Sequence, residues 1–199
     1  MRIVQLLFGV WVGICFLACG EKSDSFTREE RERIGHLEEE GIMPLFLVTN
    51  RVDSLFLRLQ AKEFRKEDVE TETFRVLRSR MLATVRDSLN EGVGIAAPQV
   101  GISRQLVAVQ RLDKTGEPFE FYVNPEIIYF SQDTVLGQEG CLSIPGRMGS
   151  VYRSKEIVVR YRDELSFEWR QDRVREFTAR IFQHEIDHLN GILYTDYLP

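Results

Sequence analysis

The sequence predicts an α+β fold, with antiparallel β-sheets packed around a C-terminal metal-binding helix and another helix on the N-terminal side. Three observations lead there. Runs of strand character, some joined by turn residues, fill the stretch from 105 to 169. A helical period precedes them, with Phe74, Leu77, Met81, Val85 and Leu89 on one face. A second stripe follows them, through Val174, Phe177, Ile181, His184 and His188 at spacings of three and four. Strands in hairpins followed by one closing helix describe sheets resting on that helix.

Taken in order, the first 20 residues stand apart. Arg2 precedes an apolar run from 3 to 17, broken among polar types only by Gln5, which ends in Ala18, Cys19 and Gly20. A basic start, an apolar stretch and small residues at its end describe an export signal. At ~15 residues the run is shorter than the ~20 a membrane span needs. The ending resembles a bacterial lipoprotein signal, which implies a lipidated Cys19 as the new N-terminus; an N-terminal core or anchor helix is the alternative. Residues 1–19 are therefore expected as a signal, 20–44 as a charged tether and 45–199 as the folded domain. Within the tether, 27–40 is dense in Arg and Glu, with Thr27 and Glu30 spaced as a capping box.

Pro44 ends that stretch, and Leu45 to Val48 is the expected first piece of the domain. Residues 53–57 read as one helical turn, and 71–89 as a helix closed by Asn90-Glu91-Gly92. Strands are expected at 105–110, 119–123, 126–130 and 157–161, with 165–169 returning across an Asp163-Glu164 turn. Gly191 is the expected cap of the last helix.

Composition narrows the function. In 199 residues, 43% are hydrophobic and 29% charged, the profile of one soluble globular domain. A net charge of −5, with no basic stripe, argues against a nucleic-acid partner. Of the three cysteines, Cys15 would leave with the signal and Cys19 would carry lipid, so Cys141 is the free thiol and no disulfide framework is expected.

Chemistry concentrates in three short stretches. His184 and His188 lie four apart, so on a helix both imidazoles reach one ion, and Glu185 can act as a general base on water activated there without being a ligand. By itself this pattern is also met by chance on a charged amphipathic helix. His36, in the charged N-terminal stretch, reads as solvated. Cys141, as a thiolate, would complete a Cys/His/His set with a fourth position open, or else is a buried inert thiol. Between Gly92 and Gly101, Gln99 offers a neutral amide donor for an oxyanion, although the stretch also reads as a tight helix-to-strand connection.

Together, Gly92-Val93-Gly94-Ile95-Ala96-Ala97-Pro98-Gln99, Glu139-Gly140-Cys141-Leu142-Ser143 and Gln183-His184-Glu185-Ile186-Asp187-His188 resemble, in order and at compatible spacing, the three signature motifs of peptide deformylases. The resemblance covers roughly 45–199. It implies that Cys141, His184 and His188 hold one divalent metal, usually Fe²⁺, with Zn²⁺ and others accepted. It implies Glu185 as the proton shuttle, Gln99 and the Leu142 N–H as oxyanion donors, and backbone contacts from Val93, Gly94 and Gly140 to an extended peptide. The substrate implied is an N-formyl-methionyl peptide, and a monomer is expected. Glu139 and Asp187 are expected to support the ligands, while Phe177 and Ile181 line a methionine pocket or belong to the core. The export signal departs from the family, whose members act on nascent chains. Two rivals remain: a His-Glu-x-x-His zinc peptidase, which draws a third ligand from further along the chain than the eleven residues after His188 provide, and a lipid-anchored peptide-binding module without catalysis.

Overall fold

The computed structural model describes residues 25–35 and 41–199; the signal at 1–19 and His36 lie outside the described residues. Its elements run α1 (Arg28–Ile34), α2 (Arg51–Phe56), α3 (Lys66–Val69), α4 (Glu72–Arg86), β1 (Gly94–Ala96), β2 (Leu106–Gln110), β3 (Phe119–Phe130), β4 (Thr134–Cys141), β5 (Ile144–Ser154), β6 (Glu156–Arg162), β7 (Trp169–Arg175) and α5 (Glu176–Leu189). Five strands form one antiparallel sheet in the order β1-β2-β3-β6-β7, and β4 and β5 form a separate hairpin. This is the expected α+β arrangement, with α5 at its centre.

Alternation along β2 builds the two sides of the sheet. Leu106 and Ala108 join a core with Phe74, Leu77, Met81 and Val85 of α4, while Val107 and Val109 pack with Ile181, Phe182, Ile186 and Leu189 of α5. The helix bearing the histidine pair is thus buried against the sheet along most of its length. Its end is a Schellman turn in which Gly191 N–H donates to the His188 carbonyl and Ile192 N–H to that of Asp187. The capping residue is Asn190, and Gly191, one position further on, takes φ +71°.

Several expectations change in detail. The runs at 119–123 and 126–130 are one strand, and a register shift at Asn124-Pro125 absorbs the proline. There Asn124 takes φ +48° and its amide brackets Phe64, accepting from its N–H and donating to its carbonyl, both at 2.8 Å. The return strand begins at Trp169, where 165–169 was expected; Leu165 is exposed in the turn, which Asp163 organises by accepting from the Leu165 and Ser166 N–H groups. α4 stops at Arg86, so Leu89 is 90% exposed although it continues the stripe. Val174 lies in β7, one residue before its end, instead of starting the final helix.

The larger correction concerns the tether. Thr27 and Glu30 form the expected capping box, but the helix they start is packed, not solvated. Phe26, Ile34 and Met43 are buried in the α4 side of the core. Glu30 takes a two-pronged ion pair from buried Arg104 at 2.9 Å, and Ser25 donates twice to Asp68 at 2.7 Å. Arg80 donates to the Ile34 carbonyl and Met43 N–H donates to Thr84 Oγ1, which ties both ends of the segment to α4. The stripe that buries this helix is only Phe26, Glu30 and Ile34, too sparse among charged residues to stand out in the sequence.

Deleting residues 25–35 removes two buried apolar side chains and leaves Arg104 buried without its carboxylate. The expected loss is about 3 kcal/mol or more of unfolding free energy. Urea titration of the shortened and full-length domains measures it, and equal midpoints would show that the segment is not packed in solution.

Candidate active site

Three pieces of chain meet over the middle of α5. α5 supplies His184, Glu185 and His188 from consecutive turns. The β4–β5 hairpin supplies Cys141 at the end of β4, where Leu142 and Ser143 form a two-residue turn and Cys141 pairs with Ile144. A short 3-10 turn from Ala97 to Val100, after edge strand β1, supplies Gln99. Val93, Gly94, Gln99, Gly140, Cys141, Leu142, His184 and Glu185 all line one cavity of about 440 Å³. His188 lies beneath it, buried, with Nε2 3.2 Å from Cys141 Sγ. Every residue assigned to the site from sequence is therefore brought together.

The donor atoms of Cys141, His184 and His188 lie within 4.8 Å of one another, the one such group among the described residues. Burial holds His188 well below the usual histidine range, so it is neutral and can act as a ligand. The tautomer of His184 is set from behind. Burial would raise Glu139, but hydrogen bonds from His184 and Arg153 hold it down to about 2. An ionised carboxylate only accepts, so His184 Nδ1 donates to Glu139 Oε2 at 2.9 Å, which leaves Nε2 for an ion. One thiolate and two imidazoles suit a borderline-soft divalent ion, and the side chains present fit one.

Glu185 is buried, and its Oε2 has no hydrogen-bond partner among the described residues. Burial raises it to about 7, where a carboxylate both takes and returns protons near neutrality. Its place depends on Gly94: a Cβ there would sit 2.5 Å from Glu185 Oε1 and 2.8 Å from Ile181 Cγ2. Gln99 is oriented by its own turn. Its Oε1 accepts from Ala96 N–H at 2.8 Å, so its NH₂ is directed towards Cys141 Sγ and Ser143 Oγ, each at 3.5 Å.

Of the pair left open, both Phe177 and Ile181 line the cavity, but Ile181 is also buried in the core with Val107 and Val109, while Phe177 is half-exposed. The sequence reading missed two arginines. Arg153 of β5 makes a paired contact with Glu139 at 2.9 and 3.0 Å and also reaches Asp187. Arg180 donates to Glu139 Oε1 at 2.7 Å and to the Val135 and Val151 carbonyls. Arg180 carried a signal: it stands four residues before His184, on the ligand face, where a buried cation needs an anion. Arg153 lies on a strand that was not anticipated and carried none.

A cysteine sulfur, two imidazoles, an unpaired buried carboxylate and an amide donor around one cavity are the parts of a metal-dependent hydrolase. The family model described as polypeptide deformylase matches residues 48–199, and the chain belongs to that family. It is 42% identical over 142 residues to the peptide deformylase of Synechocystis sp., covering 70% of this chain and 72% of the relative. It is 38% identical over 144 residues to that of Pseudothermotoga lettingae, covering 72% and 77%. Among solved structures, a Met-Ala-Ser-bound class I type b peptide deformylase from Acinetobacter baumannii superposes with a TM-score of 0.69 at 34% identity, covering 80% of this chain and 100% of that one. The Thermotoga maritima peptide deformylase gives 0.69 at 32% identity, covering 80% and 99%. The protein is an enzyme that removes the N-terminal formyl group from formyl-methionyl peptides, and neither the zinc-peptidase nor the non-catalytic reading survives.

Glu139→Ala leaves Arg153 and Arg180 buried without their shared anion and frees the His184 ring. Stability should fall by about 3–5 kcal/mol and metal affinity by about 10- to 100-fold. Denaturant melts and competition with a chelator measure the two separately; a change under 1 kcal/mol would mean that the arginines find other partners.

Proposed function

We propose that Cys141, His184 and His188 hold a single Fe²⁺, with Zn²⁺ or another divalent ion accepted, and that Glu185, Gln99 and the Leu142 N–H carry out the deformylation around it. The observation that carries this reading is the placement of an unpaired, buried Glu185 in the cavity lined by two of the three donors. A mixed thiolate and imidazole set suits both ions by its softness. The ion, when bound, supplies Lewis acidity that makes water nucleophilic at neutral pH and polarises the formyl oxygen.

The remaining steps belong to the chain. Glu185 removes the proton from the attacking water and returns it to the departing amine, which a carboxylate raised to about 7 can do in both directions. The Gln99 NH₂ and the Leu142 N–H donate to the oxyanion of the tetrahedral carbon. Backbone groups of Val93, Gly94 and Gly140 hold the peptide extended along the cavity, and Phe177 and Ile181 contact the methionine side chain. The products are formate and a peptide with a free methionine amine.

We further propose that Cys19 is acylated after export, so that the enzyme acts on formylated peptides outside the cytoplasm. Support comes from the run at 3–17, its small-residue ending and the polar stretch from Glu21. The run at 3–17 is shorter than the ~20 residues a span needs, so attachment would rest on lipid.

The metal-loaded domain should release formate from formyl-Met-Ala-Ser. Glu185→Gln should keep stoichiometric metal and lose about 10²- to 10⁴-fold in turnover, the span typical of a proton-transfer group. Near-normal turnover would assign the base elsewhere, and loss of the metal would make Glu185 a ligand. For location, labelled fatty acid should mark the natural protein and not Cys19→Ala; unlabelled protein retaining Met1 would refute export without touching the chemistry.

A further inference from the structure

The packed segment before residue 48, where the family match begins, reaches the active site through one aromatic residue. Arg33, near the end of α1, lays its guanidinium over the Phe46 ring, 4.7 Å from the centroid. The same pair closes over Gly101, which ends the turn that carries Gln99. A Cβ on Gly101 would lie 2.6 Å from the Phe46 ring and 2.9 Å from Arg33 Cδ, so the three are in close contact. Phe46 in turn donates its N–H to the main-chain carbonyl of Gln99 at 2.8 Å. Two residues on, Val48 N–H donates to the Ser143 carbonyl at 2.9 Å, in the turn that follows Cys141. Residues 46–48 therefore hold the Gln99 turn and the Cys141 turn at a fixed separation. The Phe56 ring meets Phe46 edge-on at 4.9 Å, so the aromatic side chain is bounded on both sides. α1 cannot slide, because Glu30 is fixed to Arg104 and the Ile34 carbonyl to Arg80.

We propose that Arg33 is a positioning residue for Gln99. Its cation over Phe46 fixes the backbone that hydrogen-bonds to Gln99, and so fixes the distance from the Gln99 amide to the carbon under attack. Arg33 touches no substrate and acts through Phe46 and through its stem against Gly101. The proposal rests on Gln99 being an oxyanion donor, and it makes the N-terminal segment a working part of the enzyme as well as a structural one. Because an oxyanion donor acts on the transition state more than on the bound substrate, the effect falls on kcat and leaves KM largely alone.

The test uses the metal-loaded full-length protein, with formyl-Met-Ala-Ser as substrate. Arg33→Ala should lower kcat about two- to five-fold, the size expected for one exposed cation–π contact, with KM within two-fold and metal content unchanged. Arg33→Lys, which keeps a cation and an apolar stem, should recover most of the loss. In a Gln99→Ala background, Arg33→Ala should cost nothing further. Should Arg33→Ala prove unstable, Arg33→Met keeps the stem against Gly101 and carries the same expectation. An unchanged kcat, a change confined to KM, or an equal loss in both backgrounds would overturn the positioning role. A Gln99→Ala variant with full activity would overturn it together with the assignment of Gln99, whereas an inactive Gln99→Ala with an additive Arg33 effect overturns the positioning alone.

Discussion

The carboxylate of Glu139 is the contact on which this structure turns. It accepts from Arg153 of β5, from Arg180 and His184 of α5, and it stands on β4 itself. The hairpin shares no strand pairing with the five-stranded sheet, so this buried charge cluster is a principal tie between hairpin and helix. Hydrogen bonds from His184 and Arg153 keep the carboxylate ionised in a place where burial alone would protonate it. That ionisation in turn decides which nitrogen of His184 carries the proton. One anion therefore joins the fold, orients a ligand and sets its tautomer. Gly94 complements it from the other side, since only a residue without a Cβ leaves room for Glu185.

What could be read from the sequence was what spacing forces. An i,i+4 histidine pair on a periodic stripe has one geometric outcome on a helix, and the helix formed over those residues. Gln99 and Cys141 were found as oddities of small-residue loops and became a site only when set beside that pair. The β4–β5 hairpin escaped because four glycines and many exposed side chains blur its alternation. The packed N-terminal helix escaped because its reasons for burial are distant in sequence: Glu30 answers Arg104, and Ser25 answers Asp68. A run of alternating Arg and Glu looks solvated until its partners are placed. Leu89 shows the reverse error, a stripe extended past the point where Asp87 leaves the helix with ψ 137°.

The ligands come from two bodies that pack together without a shared sheet. Cys141 belongs to the hairpin, His184 and His188 to α5, and the hairpin has its own small core of Ile144, Val151, Leu193 and Tyr194. An ion held by all three side chains would link these bodies, so its affinity and the packing of the hairpin on α5 would be coupled free energies.

The docking of Ser25 on Asp68 and Arg104 also limits reach. With lipid on Cys19, six peptide units separate the acylated residue from the first fixed point of the fold, an extended span on the order of 20 Å. That is shorter than the breadth of a domain this size. A tether running to residue 44 would have let the catalytic domain roam about two domain widths from the bilayer and turn freely. A leash of six units would instead confine it to the layer next to the headgroups, and the surface around Ser25 would become the side turned towards the lipid.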